Sequence, residues 1–214
     1  MVEVKICGLS NTETLDAALD AGADYVGFVF YGPSPRNIDY AKARELAKQT
    51  GSRAKKVALT VNADDQKIDE ICDALQPDFI QAHGSETPER IAHIRDRTGV
   101  PVIKAIKVKD ITDINSASGY QGSAEMILFD AKAPESLEGA LPGGNGITFD
   151  WSLLGDEQAQ PRFMLSGGLD ADNLREAVRI TNAPIADVSS GVETSPGVKN
   201  VDLIKAFVSA VKTL

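Results

Sequence analysis

A cysteine near the start of the chain and an aspartate near its middle carry the two side chains best placed for proton transfer. Cys7 ends an alternating apolar run and is followed by Gly8, and Asp130 closes the apolar run 126–129. A thiolate can act as a base, and a carboxyl partly desolvated behind an apolar strand favours its protonated form, which suits a general acid. On position alone, however, a small buried hydrophobe is the favoured interpretation of the cysteine. For the aspartate, a helix cap or a partner of Lys132 is the alternative.

Two glycine turns late in the chain predict a phosphate site. Gly167 and Gly168 follow one apolar run, and Ser190 and Gly191 follow the next. Glycine lets backbone N–H groups come close to phosphate oxygens, and a following helix N-terminus adds positive potential. Glycines also make tight turns without any ligand, which is the alternative. A third glycine stretch, residues 143–146, fits an anion nest and a flexible hinge equally well.

Three further polar residues are candidates for substrate binding. Arg36 stands alone among small residues and prolines, where a guanidinium could grip a carboxylate with two parallel hydrogen bonds or could simply be solvated. Asp187 could bind a hydroxyl or be structural. His83 could contact a ligand, although a hydrogen-bonded structural role is favoured. Cys72 follows a helical apolar pattern and is assigned to the core.

Short apolar runs alternate with helical patterns along the chain. The eight runs cover residues 2–7, 25–30, 56–61, 79–83, 101–106, 126–130, 162–166 and 186–189. Strands that alternate with helices in this way predict a parallel sheet, and eight such units predict a closed (β/α)8 barrel in a single domain spanning residues 1–214. An open doubly wound sheet is the alternative, but the first strand–helix turn lacks the glycine pattern of dinucleotide binders.

The predicted barrel would bring the candidate residues together. The carboxyl ends of its strands converge on one mouth, so the residues that follow the strands should surround one pocket. The first helix is expected to begin with Ser10 as its cap and Glu13 completing a capping box. The one long connection, residues 131–148, is expected to be functional or mobile.

Composition excludes several classes of function. The chain has 214 residues, 43% of them hydrophobic, with a net charge of −9 and two cysteines. A chain this acidic is not expected to bind nucleic acid or anionic membrane, and no apolar run is long enough to span a bilayer. The N-terminus lacks a signal-peptide pattern, and the cysteine count suits a reducing cytoplasm. No metal-binding motif is present in the sequence, and the expected assembly is a monomer.

Several motifs, taken in order, resemble those of the phosphoribosylanthranilate isomerases. They are KICG (5–8), GFVF (27–30), SPR (34–36), QAHG (81–84), FD (129–130), GGNG (143–146), FDWS (149–152), LSGGL (165–169) and DVSSGVE (187–193). The resemblance extends from about residue 2 to about residue 199. Members of this family are single-domain (β/α)8 enzymes of tryptophan biosynthesis, and a cytoplasmic location is expected.

The resemblance implies an Amadori rearrangement of N-(5-phosphoribosyl)anthranilate from an aminoaldose to an aminoketose. In this scheme Asp130 protonates the ribose ring oxygen, and the Cys7 thiolate then removes the proton from sugar C2. A free thiol would need a modestly lowered pKa for this task, and the nearby charge of Lys5 could provide it, because residues two apart on a strand point the same way. Neither a cofactor nor a metal is implied, since side chains can carry both proton transfers.

The resemblance also assigns the binding residues. Arg36 would hold the anthranilate carboxylate, and Asp187 would meet a sugar hydroxyl. The phosphate would be held by Gly167, Gly168, Ser190 and Gly191. The sequence departs from many family members at Ile147, where a polar or basic residue is common, and at Ala82, where leucine is common.

Two alternatives to this function stay open. One is a related isomerase acting on an aminoimidazole ribotide, which would need a second phosphate site near strands three and four. Residues 61–65 are acidic there, which argues against it. The other is a barrel that binds a phosphorylated ligand without catalysis.

Overall fold

Eight parallel strands close into a barrel in chain order, as a computed structural model of the chain shows. The structure describes residues 1–133, 142–155 and 162–214. The strands are β1 (Glu3–Cys7), β2 (Tyr25–Phe30), β3 (Lys55–Thr60), β4 (Phe79–Ala82), β5 (Val102–Val108), β6 (Met126–Ala131), β7 (Phe163–Leu165) and β8 (Ile185–Val188). Because β1 pairs with both β2 and β8, the sheet has no open edge, which confirms the predicted (β/α)8 class and excludes the open doubly wound sheet.

Helices pack around the outside of this barrel. They are α1 (Thr12–Ala21), α2 (Tyr40–Thr50), α3 (Asp65–Leu75), α4 (Pro88–Thr98), α5 (Ile111–Asn115), α6 (Leu174–Thr181) and α7 (Val201–Lys212). The described residues between β6 and β7 contain only a short 3-10 turn, Trp151–Leu154, where the repeat would place a helix. A small antiparallel hairpin of β9 (Glu193–Ser195) and β10 (Val198–Lys199) follows β8, and the strand–helix repeat did not predict it.

The alternation of side chains along each strand separates two layers of core. Inward positions near the bottom of the barrel are apolar, as with Met126 and Leu128 on β6, which pack in a cluster drawn from the strands. The next inward position on β6 is Asp130, at the mouth. Outward positions such as Ile127 and Phe129 belong to the large core shared with the helices. On β6 the inward positions therefore change from apolar to polar where the strand reaches the pocket.

The start of α1 differs from the sequence expectation. Asn11, not Ser10, is the N-cap, and its side-chain oxygen accepts a hydrogen bond from the Thr14 backbone N–H at 2.9 Å. Both residue types are good caps, so the prediction was wrong by one position. Among the described residues, no helix is both long and apolar enough to cross a membrane.

Candidate active site

One pocket at the carboxyl ends of the strands gathers nearly all the residues predicted to act together. It has a volume of about 640 Å³, open solvent included. Its lining includes these predicted residues: Cys7, Arg36, His83, Asp130, Gly167, Gly168, Asp187 and Ser190. Gly191 is not part of the lining. A Cβ atom there would lie 1.9 Å from the Leu169 carbonyl oxygen, so glycine allows the two backbones to approach.

Cys7 lies at the end of β1 with its thiol buried in the barrel mouth. Its neighbour across the sheet is Gly27 on β2, where a Cβ atom would come within 2.9 Å of the Cys7 sulfur. The missing side chain at Gly27 therefore makes room for the thiol. Burial raises the pKa of Cys7 above its ordinary value, against the opposing attraction of the Lys5 ammonium. The expected net lowering of this pKa was wrong, although the predicted influence of Lys5 has the expected sign.

Lys5 and Asp187 form a buried ion pair beneath the thiol. They are register partners on β1 and β8, and Lys5 Nζ lies 2.7 Å from Asp187 Oδ1. Ser166 donates to the other carboxylate oxygen of Asp187 at 2.9 Å. Burial alone would lower the pKa of Lys5, but the attraction of Asp187 and Cys7 outweighs it and leaves that pKa raised. Lys5 therefore stays a cation between a carboxylate and the thiol.

Asp130 is hydrogen-bonded to a backbone amide and lies beside the imidazole of His83. Its Oδ1 atom accepts from the backbone N–H of Ala131 at 3.0 Å, and its Oδ2 atom lies 3.2 Å from His83 Nε2. The other ring nitrogen of His83 lies 2.9 Å from Gln81 Nε2. Gln81 is fully buried, and its Oε1 atom has no hydrogen-bond partner. His83 is thus hydrogen-bonded, as the sequence analysis favoured, and it also lines the pocket.

Arg36 is held by Glu193, which the sequence analysis did not select, and Lys199 binds the same carboxylate. The Nε and Nη2 atoms of Arg36 both donate to the Glu193 carboxylate at 2.8 Å. The side chains of Arg36, Glu193 and Lys199 are all buried. Lys199 Nζ lies 2.6 Å from Glu193 Oε1 and 2.9 Å from the Ser189 carbonyl oxygen. Arg36 is therefore not a solvated surface arginine. The sequence motif that ends at Glu193 contains no local pattern that links it to Arg36.

The glycine stretch 143–146 lies across the pocket. The Gly144 carbonyl accepts from Arg36 Nη2 at 3.1 Å. A Cβ atom at Gly143 would lie 2.6 Å from Asp130 Oδ2 and 2.7 Å from His83 Nε2. The stretch thus reaches both the acidic group and the guanidinium, and side chains on these glycines would collide with them.

The two glycine turns predicted to bind phosphate lie beside each other at the mouth. Gly167 and Gly168 have φ angles of +88° and +64°, a conformation that favours glycine. Ser190 opens a 3-10 turn after β8, whereas α6 begins only at Leu174, six residues beyond Gly168. Backbone N–H groups and serine are therefore available for an anion. Of the helix N-termini expected after these turns, a short 3-10 turn does begin at Ser190, but α6 does not follow Gly168 directly.

The arrangement unites a buried thiol, a carboxyl and a guanidinium with glycine turns that suit an anion. Such a pocket can move protons on a small anionic ligand. Within the described parts of the chain, no group of three or more His, Cys, Asp or Glu side chains could hold a metal ion. The fold and the pocket define a (β/α)8-barrel protein with its site at the carboxyl ends of the strands, the usual location of the active site in enzymes of this fold.

Comparison with known proteins identifies the family. Residues 4–210 match the family model for N-(5'-phosphoribosyl)anthranilate isomerase. The chain is 52% identical over 211 residues to such an isomerase from Parvibaculum lavamentivorans, covering 99% of this chain and 98% of the relative. It is 53% identical over 209 residues to another from Bradyrhizobium diazoefficiens, covering 98% and 93%.

Solved structures give the same answer. The crystal structure of phosphoribosyl anthranilate isomerase from Thermotoga maritima has a TM-score of 0.89 at 38% identity, with 100% of both chains covered. An isomerase in complex with reduced 1-(o-carboxyphenylamino)-1-deoxyribulose 5-phosphate has a TM-score of 0.84 at 35% identity, again with 100% of both chains covered. This chain therefore belongs to the N-(5'-phosphoribosyl)anthranilate isomerase family, whose members are isomerases of tryptophan biosynthesis.

Proposed function

We propose that this chain converts N-(5-phosphoribosyl)anthranilate into 1-(2-carboxyphenylamino)-1-deoxyribulose 5-phosphate, with Asp130 as general acid and Cys7 as general base. The observation that carries this proposal is that the thiol and the carboxyl line the same pocket. An aminoaldose becomes an aminoketose by gaining a proton at one atom and losing one at another. A pocket with one acid and one base is suited to both transfers.

In the first step, protonated Asp130 gives its proton to the ribose ring oxygen. The bond between this oxygen and C1 breaks, and the amine nitrogen supplies the electron pair that forms the Schiff base. Asp130 must then be stable without its proton. The contact with His83 at 3.2 Å suits both states, because an imidazole nitrogen can accept from a carboxylic acid or donate to a carboxylate.

Gln81 can pair with either neutral tautomer of His83. When its amide N–H donates to His83 Nδ1, the Nε2 atom carries the proton and donates to the Asp130 carboxylate. When the amide is turned over, the unpartnered Oε1 atom accepts from Nδ1–H instead, and Nε2 then accepts from the protonated acid. Gln81 and His83 are thus positioning residues for the acid.

In the second step, the Cys7 thiolate removes the proton from sugar C2. The electrons of that C–H bond form the C1–C2 double bond of an enolamine, and the iminium nitrogen is neutralised. The enolamine then tautomerises to the ketone. Because burial raises the pKa of Cys7, the Lys5 ammonium is needed to favour the thiolate. A positive charge at the iminium nitrogen of the bound Schiff base would act in the same direction.

The binding roles follow from the remaining lining residues. Arg36 holds the anthranilate carboxylate. Asp187 keeps lone pairs on both oxygens beyond its bonds to Lys5 and Ser166, so it can accept from a sugar hydroxyl. The phosphate is held at the two glycine turns by Gly167, Gly168, Ser190 and the neighbouring Gly191.

Fluorescence of the anthranilate group provides the test. Phosphoribosylanthranilate is generated in solution, the protein is added, and loss of substrate emission is followed. Wild type and a Cys72→Ala control should consume the substrate rapidly, whereas Cys7→Ala should not, because Cys72 lies on α3 away from the pocket. Equal rates with Cys7→Ala would remove the base assignment and leave the reaction standing. No reaction with folded wild type would overturn the proposal.

A further inference from the structure

Glu193 is a buried carboxylate that none of the proposed proton transfers uses. It begins the β9–β10 hairpin, and its side chain is 3% exposed. Its oxygens bind Arg36 on one side and Lys199 on the other. Lys199 is at the far end of the same hairpin and its side chain is fully buried. The hairpin thus supplies both an anion and a cation beneath Arg36.

The bond between Glu193 and Arg36 fixes the orientation of the guanidinium. Two parallel N–H···O bonds of 2.8 Å hold Nε and Nη2 on the carboxylate, which sets the plane of the group. The Arg36 stem is held as well, because a Cβ atom at Gly8 would lie 2.7 Å from Arg36 Cδ. Glu193 therefore occupies one edge of the guanidinium. The N–H groups of Nη1 and the second N–H of Nη2 lie on the remaining edges, and Nη2 also donates to the Gly144 carbonyl.

The charges of this group do not cancel. Two cations, Arg36 and Lys199, share the single carboxylate of Glu193. Burial acts to raise the pKa of Glu193, but the Arg36 hydrogen bonds and the Lys199 charge outweigh it and lower that pKa. Burial and the Arg36 charge lower the pKa of Lys199, which Glu193 opposes, so two basic side chains depend on one carboxylate. Buried charge is unfavourable until it is paired, so the site favours a ligand that brings one negative charge to this position.

We infer that Glu193, itself held by Lys199, orients Arg36 and makes the site selective for a substrate whose aromatic amine carries a carboxylate. The inference rests on the proposed function, because it concerns the aryl end of the same substrate. Glu193 does not touch the substrate and is a positioning residue. Its contribution should therefore depend on whether the substrate has the carboxylate.

The test compares two substrates that differ only in this carboxylate. Ribose 5-phosphate is condensed in solution with anthranilate or with aniline, and kcat and KM are measured for each product with wild type, Glu193→Gln and Glu193→Asp. In Glu193→Gln the amide would point one N–H at the guanidinium, so the paired geometry is lost. We expect KM for the carboxylated substrate to rise about tenfold to hundredfold. For the aniline substrate, kcat/KM should change little, and Glu193→Asp should restore part of the preference.

Lys199→Met provides a second variant should Glu193→Gln fail to fold. It removes one of the two basic side chains but keeps a paired Glu193 beneath Arg36. The preference for the carboxylated substrate should fall here as well. Glu86→Gln is the matched control, since Glu86 is buried and paired with Lys104 at 2.8 Å outside this group. It should lose stability but keep the wild-type ratio of the two specificities.

The outcomes separate the inference from the proposed function. An equal loss of kcat/KM for both substrates in folded Glu193 and Lys199 variants would show a merely structural role and overturn the inference. A selective loss for the carboxylated substrate would support it. If folded wild type isomerised neither substrate, the proposed function itself would fail, and the inference would fall with it.

Discussion

The two sides of the pocket hold their reactive groups by opposite means. Cys7 is placed among full charges, with Lys5 and Asp187 paired beneath it at 2.7 Å. Asp130 instead has the His83 imidazole and a backbone amide as its hydrogen-bonding neighbours. In the proposed reaction the base must start as an anion and the acid must start as a neutral group. A nearby cation favours the first state, whereas an imidazole nitrogen, which can accept or donate, suits an acid that loses its proton.

Removal of either reactive group should have the largest effect. Cys7→Ala and Asp130→Asn should each lower kcat about 10² to 10⁴-fold, because each removes a proton-transfer group without filling its role. The measurement is steady-state turnover of phosphoribosylanthranilate, with unfolding monitored by circular dichroism. Asp172→Asn, which changes an exposed aspartate, serves as the charge control. Near-normal turnover in either pocket variant would show that the side chain it removes is not needed for proton transfer.

Changes beneath the thiol should alter its ionisation in opposite directions. Lys5→Met removes the cation that opposes the effect of burial, so the pKa of Cys7 should rise further and the rising limb of kcat/KM should move to higher pH. Asp187→Asn removes a carboxylate that raises the same pKa, so the limb should move to lower pH. At neutral pH, Lys5→Met should slow turnover, because a higher thiol pKa leaves a smaller fraction of Cys7 as thiolate.

The pH dependence of thiol alkylation by iodoacetamide measures these changes without relying on turnover. It should follow the same order, with Asp187→Asn reacting at the lowest pH and Lys5→Met at the highest. Alkylation profiles that coincide for the two variants would mean that the charges do not control the base. Every variant in this experiment also carries Cys72→Ala, so that the alkylation measured is that of Cys7.

The Asp130 side of the pocket should respond more weakly to loss of its supporting residue. Gln81→Met removes one hydrogen bond to His83, which costs about 1 kcal/mol or about fivefold in kcat, with KM little changed. Stopped-flow or steady-state fluorescence can resolve such a change. A loss as large as that of Asp130→Asn would give Gln81 a direct part in the reaction, and an unchanged kcat would remove it from the positioning role.

The smallest effect should appear in stability at alkaline pH. The pKa of Cys7 is raised in the folded state, so the native chain keeps its proton when the unfolded chain has lost it. This contribution to the free energy of unfolding is present below the ordinary thiol pKa of 9.0 and is lost as pH rises through the folded pKa. Urea unfolding of wild type and Cys7→Ala between pH 7 and pH 10 should show a steeper decline in wild type.

Much of the barrel could be predicted because the sequence patterns that specify its strands and helices are local. Each strand is marked by a short apolar run, and the helices between the strands are marked by their own apolar spacing. The same regularity identified Cys7 and Asp130, since both end such runs. The cap at Asn11 instead of Ser10 shows the limit, since two adjacent residues with equal capping ability cannot be ranked by pattern.

The residues that the sequence analysis missed are connected over long separations. Glu193 binds Arg36 across 157 positions, and neither residue has a local signal that names the other. The β9–β10 hairpin also lies outside the strand–helix repeat. The raised pKa of Cys7 was missed for a related reason, because burial depends on all the surrounding elements and not on Lys5 alone.

The contact between the hairpin and the Arg36 loop has a consequence for how this site can evolve. Gly197 at the hairpin turn has a φ of +85°, and a Cβ atom there would lie 2.7 Å from the Pro35 carbonyl oxygen. The two loops therefore constrain each other through their backbones. Laboratory selection for a different aryl group should yield paired substitutions, one on each loop, more often than single ones. Cys7 and Asp130 should not change in such a selection.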